Sequence, residues 1–230
     1  MSIHIRQIEY AGFTAVEMES SKIKVTVIPE LGAKLVSIYY KPTNKEWLAS
    51  SASGLQKLVY GSSFTDADMS GWDECFPTID ACPYPLEGKY KGVMLPDHGE
   101  VWSLPWKAKI QEGRLHCEVR GQALPYLLKR TLSFTNESEL CLDYEVENLG
   151  CETLSVMWTA HPQFVTTPHT SIRLPEAVTT VLCVYGGETL QAGNMYDWPY
   201  TDAGGGQRLD QIGSAERRDG RKFYIQEQLN

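Results

Sequence analysis

Apolar and polar residues alternate with a period of two along much of this chain. In SKIKVTVIPE (21–30), Ile23, Val25 and Val27 alternate with Lys22, Lys24 and Thr26. RLHCEVR (114–120) sets Leu115, Cys117 and Val119 against polar neighbours. LLKRTLSFT (127–135) and LCLDYEVEN (140–148) follow, the second with Leu140, Leu142, Tyr144 and Val146 on one face. TLSVMWTAH (153–161) and TTVLCVYGG (179–187) continue the series. A period of two places alternate side chains on opposite faces of a strand. The turn clusters KPTNKE, QEGR, TNESE and NLGCE separate the runs. No segment holds a helical period for three turns. Short strands about ten residues apart predict an all-β antiparallel sandwich or barrel.

Two stretches break this rhythm. Residues 50–106 and 186–220 are long, rich in Gly, Pro and aromatics, and weakly periodic. Long irregular segments inside a compact domain are usually functional or disordered. Trp72, Trp102 and Trp106 lie within the first and Trp47 just before it. Bulky aromatics oppose disorder, so ordered loops over one face of a sheet are expected. The sequence shows no repeat or linker, and a single domain over 1–230 is the expectation.

The 230 residues carry a formal net charge of -8. An acidic surface repels phosphate backbones and anionic lipid, so neither nucleic acid nor a membrane is an expected partner. The opening residues carry no signal-peptide pattern, and the six cysteines form no C-x-x-C pair. Reduced thiols in a cytoplasmic protein are expected. No H-E-x-x-H or Cys/His cluster is present, so neither a metal nor another cofactor is expected.

Candidate chemistry concentrates in three places. His161 ends a strand pattern and is followed by Pro162, which cannot donate to a ladder. Its bland account is a hydrogen-bonded structural histidine. His98 lies between Asp97 and Gly99 in LPDHGEVWSLPW (95–106). Its bland account is a turn residue held by those neighbours. SGWDECFPTIDACPYP (70–85) sets Asp73 and Glu74 between Trp72 and Phe76. Carboxylates beside indoles suit sugar recognition, since rings stack on C–H faces while carboxylates accept hydroxyl hydrogen bonds. The bland account there is a loop anchor.

Taken in order, GWDECFPTI, PDHGEVWSLPW and MWTAHPQF resemble the aldose 1-epimerase (galactose mutarotase-like) family. The resemblance implies a large antiparallel β-supersandwich, with this chain as its N-terminal and central part and without its C-terminal strands. It also implies a small-molecule sugar partner, leaves a homodimer open, and assigns isomerase chemistry without a metal. By similarity His161 is the general acid at the sugar ring oxygen, and His98 a second histidine near that oxygen. Trp72, Asp73, Glu74, Asp97 and Trp102 would line the pocket, with Trp102 offering a flat apolar face. Glu100 would be a local hydrogen-bonding group. The sugar-phosphate branch carries an arginine where this chain has Trp102, which with the net charge favours a neutral sugar. The family's base is a glutamate near its C-terminus; Glu216 and Glu227 stand in the wrong context for it. The expected activity is interconversion of sugar anomers by acid/base ring opening. The alternatives are a carbohydrate-binding or sensing protein without that base, and a lyase or hydrolase on the same fold.

Overall fold

A computed structural model describes residues 2–57, 59–213 and 220–226. Glu216 and Glu227 lie outside the described residues. The chain divides into two compact units, Met1–Val165 and Thr166–Asn230. The division falls in FVTTPHT, which has no linker composition.

In the first unit β1 (His4–Tyr10), β2 (Phe13–Glu19), β3 (Ile23–Ile28) and β4 (Lys34–Tyr40) form an antiparallel meander. The short β5 (Lys45–Glu46) pairs with β4 on one side, and β6 (Trp72–Cys75) follows in the sheet. β7 (Cys82–Pro83) and β8 (Met94–Leu95) make a separate two-stranded ribbon. A second sheet is built from β9 (Lys107–Gln111), β10 (Arg114–Arg120), β11 (Tyr126–Asn136) and β12 (Glu139–Asn148), all antiparallel in the order β12-β11-β10-β9. β13 (Thr159–Pro162) then returns to the first sheet beside β6, giving the order β1-β2-β3-β4-β6-β13.

The two sheets face each other across one core. Val16, Met18, Val25, Val27 and Leu35 from the first sheet pack with Leu115, Cys117, Val119, Leu128, Leu132 and Phe134 from the second. Each such Leu, Val or Phe contributes about 1.5–3 kcal/mol by leaving water. The first sheet is buried on its other face too, where Ala15, Ile28, Leu31 and Val36 meet Ile8, Phe13 and Leu55. That double burial leaves every β3 side chain except Lys24 buried, although the strand alternates apolar and polar residues. In β12, Leu140, Leu142 and Tyr144 pack on the core, while Val146 stays exposed.

One expected strand is shorter than its pattern. In TLSVMWTAH only Thr159 onward pairs, together with Pro162. The Ser155 N–H is taken by the Tyr84 hydroxyl, and the Met157 N–H by the Pro77 carbonyl, so a ladder does not form earlier.

In the second unit β14 (Thr180–Tyr185) lies between β15 (Met195–Asp197) and β16 (Lys222–Tyr224), all antiparallel. Val178, Val181 and Leu209 form its core, with Leu174, Tyr196, Trp198 and Phe223 packed around them. Among the described residues helix is limited to short 3-10 turns, and no helix is long and apolar enough to cross a membrane.

Candidate functional site

The strand pairing of β6 and β13 decides which side chains share a face. Asp73 stands opposite His161, and Glu74 opposite Ala160. Paired residues in an antiparallel sheet point the same way, and neighbours along a strand point apart. Glu74 therefore turns into the sandwich core, while Asp73 and His161 occupy the outer face.

Glu74 is fully buried and spends its oxygens on structure. Its Oε1 accepts from Arg130 Nη1 at 2.9 Å and the Tyr144 hydroxyl at 2.6 Å. Its Oε2 accepts from Trp158 Nε1 at 2.9 Å. Arg130, on β11 between Leu128 and Leu132, also donates to the Ala33 carbonyl. This buried ion pair ties the two sheets together, and burial beside Glu74 raises the Tyr144 hydroxyl above its ordinary pKa. The expectation that Glu74 lines a pocket is corrected: its acceptor sites face donors of the core.

Asp73 is also interior. Lys34 Nζ sits 2.7 Å from Asp68 Oδ1 and 3.2 Å from Asp73 Oδ2, and all three side chains are sealed from solvent. Neither Asp73 oxygen has a hydrogen bond of good geometry, nor does Trp72 Nε1. Burial pushes the Asp73 carboxyl up to about 7 against the pull of Lys34. Asp73 thus lies behind the surface it was expected to line. Trp72 is half-buried against the core.

Above this row the structure brings the two singled-out histidines together. The His98 and His161 ring centroids are 5.2 Å apart with planes at 89°. Phe64 forms the floor between them, stacked on His98 at 4.3 Å and edge-on to His161 at 4.9 Å. Phe64 is buried, whereas both histidines are half-buried and reach solvent.

The loop carrying His98 is held by local chemistry. His98 and Gly99 both adopt left-handed backbone, with φ of 58° and 74°. A Cβ on Gly99 would fall 2.2 Å from the Phe76 carbonyl oxygen, so only glycine fits there. The His98 N–H donates to the Ile79 carbonyl at 2.8 Å, and the Glu100 N–H to Phe76 at 2.8 Å. Trp102 is 1% exposed, and its Nε1 donates to the carbonyls of Asp97 and Gly99, each at 3.0 Å. It also meets Phe64 edge-on at 5.1 Å. Trp102 therefore supports the loop from below, which corrects the expectation of a stacking face. Glu100 is a local hydrogen-bonding group: it is fully buried and accepts from the Tyr60 and Tyr126 hydroxyls and the N–H groups of Gln122 and Ala123. Burial and this carboxylate push the Tyr60 hydroxyl up to about 12.

Each histidine has a partner on Nδ1. For His98 it is Asp97 Oδ1 at 2.8 Å. Asp97 Oδ2 accepts from the Phe64 N–H at 2.9 Å and the Ser63 hydroxyl at 3.4 Å. Partial burial pushes Asp97 upward, but the Phe64 N–H, His98 and Ser63 outweigh it and hold the carboxyl below its ordinary range. For His161 the partner is the Gln163 amide, with Nε2 3.1 Å from Nδ1. Phe64 and Gln163 are the members the sequence reading did not assign. Gln163 was visible as the third residue of H-P-Q-F; Phe64 lies in a polar loop with no pattern to mark it.

A cavity of about 680 Å³ lies elsewhere, on the outer face of the second sheet. His116, Lys109, Thr131 and Asp143 line it as one cross-strand row. None of the candidate residues borders it.

No family model matches this chain, and no curated protein does. Solved structures do. A galactose mutarotase-like protein from Lactobacillus casei aligns over 90% of this chain and 67% of its own, at 18% identity and a TM-score of 0.53. A second galactose mutarotase-like protein, from Clostridium acetobutylicum, aligns over 87% and 64%, at 14% identity and a TM-score of 0.50. A TPR-domain containing protein from Parabacteroides distasonis aligns over 81% and 28%, at 17% identity and a TM-score of 0.55. The chain thus spans about two thirds or less of the length of these structures. At such identities the likeness is one of fold: a nearly all-antiparallel β chain of the galactose mutarotase-like kind.

Proposed function

We propose that this chain binds a neutral free sugar and interconverts its anomers by acid/base ring opening. The observation that carries the reading is the convergence of His98 and His161 over Phe64. Two imidazoles side by side can exchange protons with two adjacent oxygens near neutral pH, since the ordinary histidine pKa is about 6.5. In this reading His161 protonates the ring oxygen as the C1 bond to it breaks. Phe64, buried beneath the pair, holds the two imidazoles in place by ring contact.

The charges around the pair favour a neutral ligand. Asp97 is ionised beside His98, and Lys34 is already engaged by two aspartates. A phosphate placed here would meet negative charge. The fold likeness to galactose mutarotase-like proteins supports the sugar class but leaves the reaction to experiment.

Polarimetry of freshly dissolved α-galactose and α-glucose tests this function. The expected result is equilibration faster than buffer, first order in protein. Saturable sugar binding with equilibration at the buffer rate would replace the enzyme reading with that of a binding protein.

A further inference from the structure

The second sheet ends on two strands of opposite charge. β9 and β12 close the order β12-β11-β10-β9, and no further strand pairs with either among the described residues. An edge strand presents a row of N–H and C=O groups to which another strand can be added. All five residues of β9 are exposed, including Ile110 at 42%. We infer that the β9 edge of one copy of this chain pairs with the β12 edge of a second copy, head to tail, so that the sheet continues from molecule to molecule.

Charge selects the partner. On the outer face, the cross-strand row through His116 begins at Lys109 and ends at Asp143. The row through Glu118 begins at Lys107 and ends at Glu145. Each row thus starts on a lysine at β9 and stops on a carboxylate at β12. Lys107 and Lys109 have no ion-pair partner among the described residues. On β12, Glu145 and Glu147 share the single cation of Lys129, at 2.7 and 3.8 Å. Asp143 adds a further negative charge there. One edge therefore carries surplus positive charge and the other surplus negative charge.

Pairing two β9 edges would set lysine against lysine, and pairing two β12 edges carboxylate against carboxylate. Like charges directly opposite one another are destabilising, and opposite charges stabilise. Charged side chains on an edge strand often keep copies apart. That defence works when both edges carry one sign, and here they do not.

The strand directions fit. Successive strands of this sheet are antiparallel, so β9 and β12 run in opposite senses. A second copy shifted sideways, without being turned over, lays its β9 antiparallel to β12 of the first. If the existing rows continue in register, Lys109 of one copy stands opposite Asp143 of the next, and Lys107 opposite Glu145. On the core side the same register sets Ile110 opposite Leu142 and Ala108 opposite Tyr144. Leu142 and Tyr144 are only half-buried, so the contact covers apolar surface on both edges. A head-to-tail contact of this kind does not close at two copies. His98 and His161 lie on neither edge, so the inference stands apart from the sugar reading.

Sedimentation velocity of the full chain, over a wide range of protein concentration, tests the inference. At low salt the weight-average mass should rise past that of a dimer. At high salt it should fall toward the monomer, because exposed ion pairs are screened. Lys107→Glu with Lys109→Glu should weaken association by about tenfold or more. Asp143→Lys with Glu145→Lys should do the same. An equimolar mixture of the two double variants should associate again, since each then offers edges of one sign to the other. Far-UV circular dichroism checks that both variants are folded. Asp143→Asn with Glu145→Gln replaces the second variant if it is not, and should weaken association in wild-type background. A wild-type chain that stays monomeric at low salt overturns the inference. So does association that the lysine reversals leave unchanged, or a mixture of folded reversed variants that remains monomeric.

Discussion

His98 and His161 meet edge to face over the ring of Phe64, 5.2 Å apart, although one sits in a loop before β9 and the other on β13. Separate scaffolds hold them. The Phe76–Ile79 backbone and Trp102 fix the first, and pairing with β6 fixes the second.

In the proposed mechanism His161 changes its bonding at the transition state, so its loss should appear in turnover. His161→Ala should lower kcat about 10²–10⁴-fold with a much smaller effect on KM. Steady-state mutarotation over a range of sugar concentrations separates the two. A change confined to KM would make His161 a binding residue.

Trp102 should behave as a structural residue. Trp102→Ala removes a buried indole and should cost about 3–5 kcal/mol of stability. Trp102→Phe keeps most of the packing but leaves the carbonyls of Asp97 and Gly99 without their donor. Its expected cost is about 1–3 kcal/mol, with activity reduced because the His98 loop loosens. Urea unfolding read by circular dichroism measures both. A Trp102→Ala chain of unchanged stability with weakened sugar binding would restore the stacking role.

Glu74 and Arg130 should also act through the fold. Glu74→Gln leaves the Arg130 charge buried without its counter-ion and should destabilise by about 3–5 kcal/mol. Replacing both partners with apolar residues of similar volume should cost less than the single change. Equilibrium unfolding of the two variants checks the order.

Asp73 gives a pH signature. Its folded pKa of about 7 stands above the ordinary carboxylate value. The folded state therefore holds this proton more tightly than the unfolded chain. Its contribution to stability is full below the unfolded pKa and is lost as pH rises through 7. Asp73→Asn leaves Lys34 paired with Asp68, and should raise Tm by roughly 2–6 °C at pH 8 with little gain near pH 4. A loss at pH 8 would show that ionised Asp73 is stabilised in the fold, and a gain independent of pH that the fold holds its proton no more tightly than the unfolded chain does.

The strands were legible because burial against one core imposes a period of two, as in β10 and β12. The histidine pair was legible through the resemblance that PDHGEVWSLPW and MWTAHPQF carry; alone, His98-Gly99 and His161-Pro162 mark a turn and a strand end. The roles of Asp73 and Glu74 were not. Both look like loop carboxylates beside aromatics, yet they lie on β6 and point to opposite faces. Their partners, Lys34 and Arg130, come from distant strands, and only the register of β4, β6 and β11 brings them together. Trp102 was misread for a related reason. An indole in an irregular segment looks available for stacking until its N–H is seen to staple its own loop.

The most direct test of the acid/base pair is magnetisation exchange between the anomeric protons of α- and β-galactose, measured by NMR with wild type and with His161→Asn at equal protein concentration. The account predicts exchange cross-peaks above the buffer background with wild type, and their loss in the variant while sugar line-broadening from binding persists. Exchange at the buffer rate with wild type, or unchanged exchange in the variant, would contradict it.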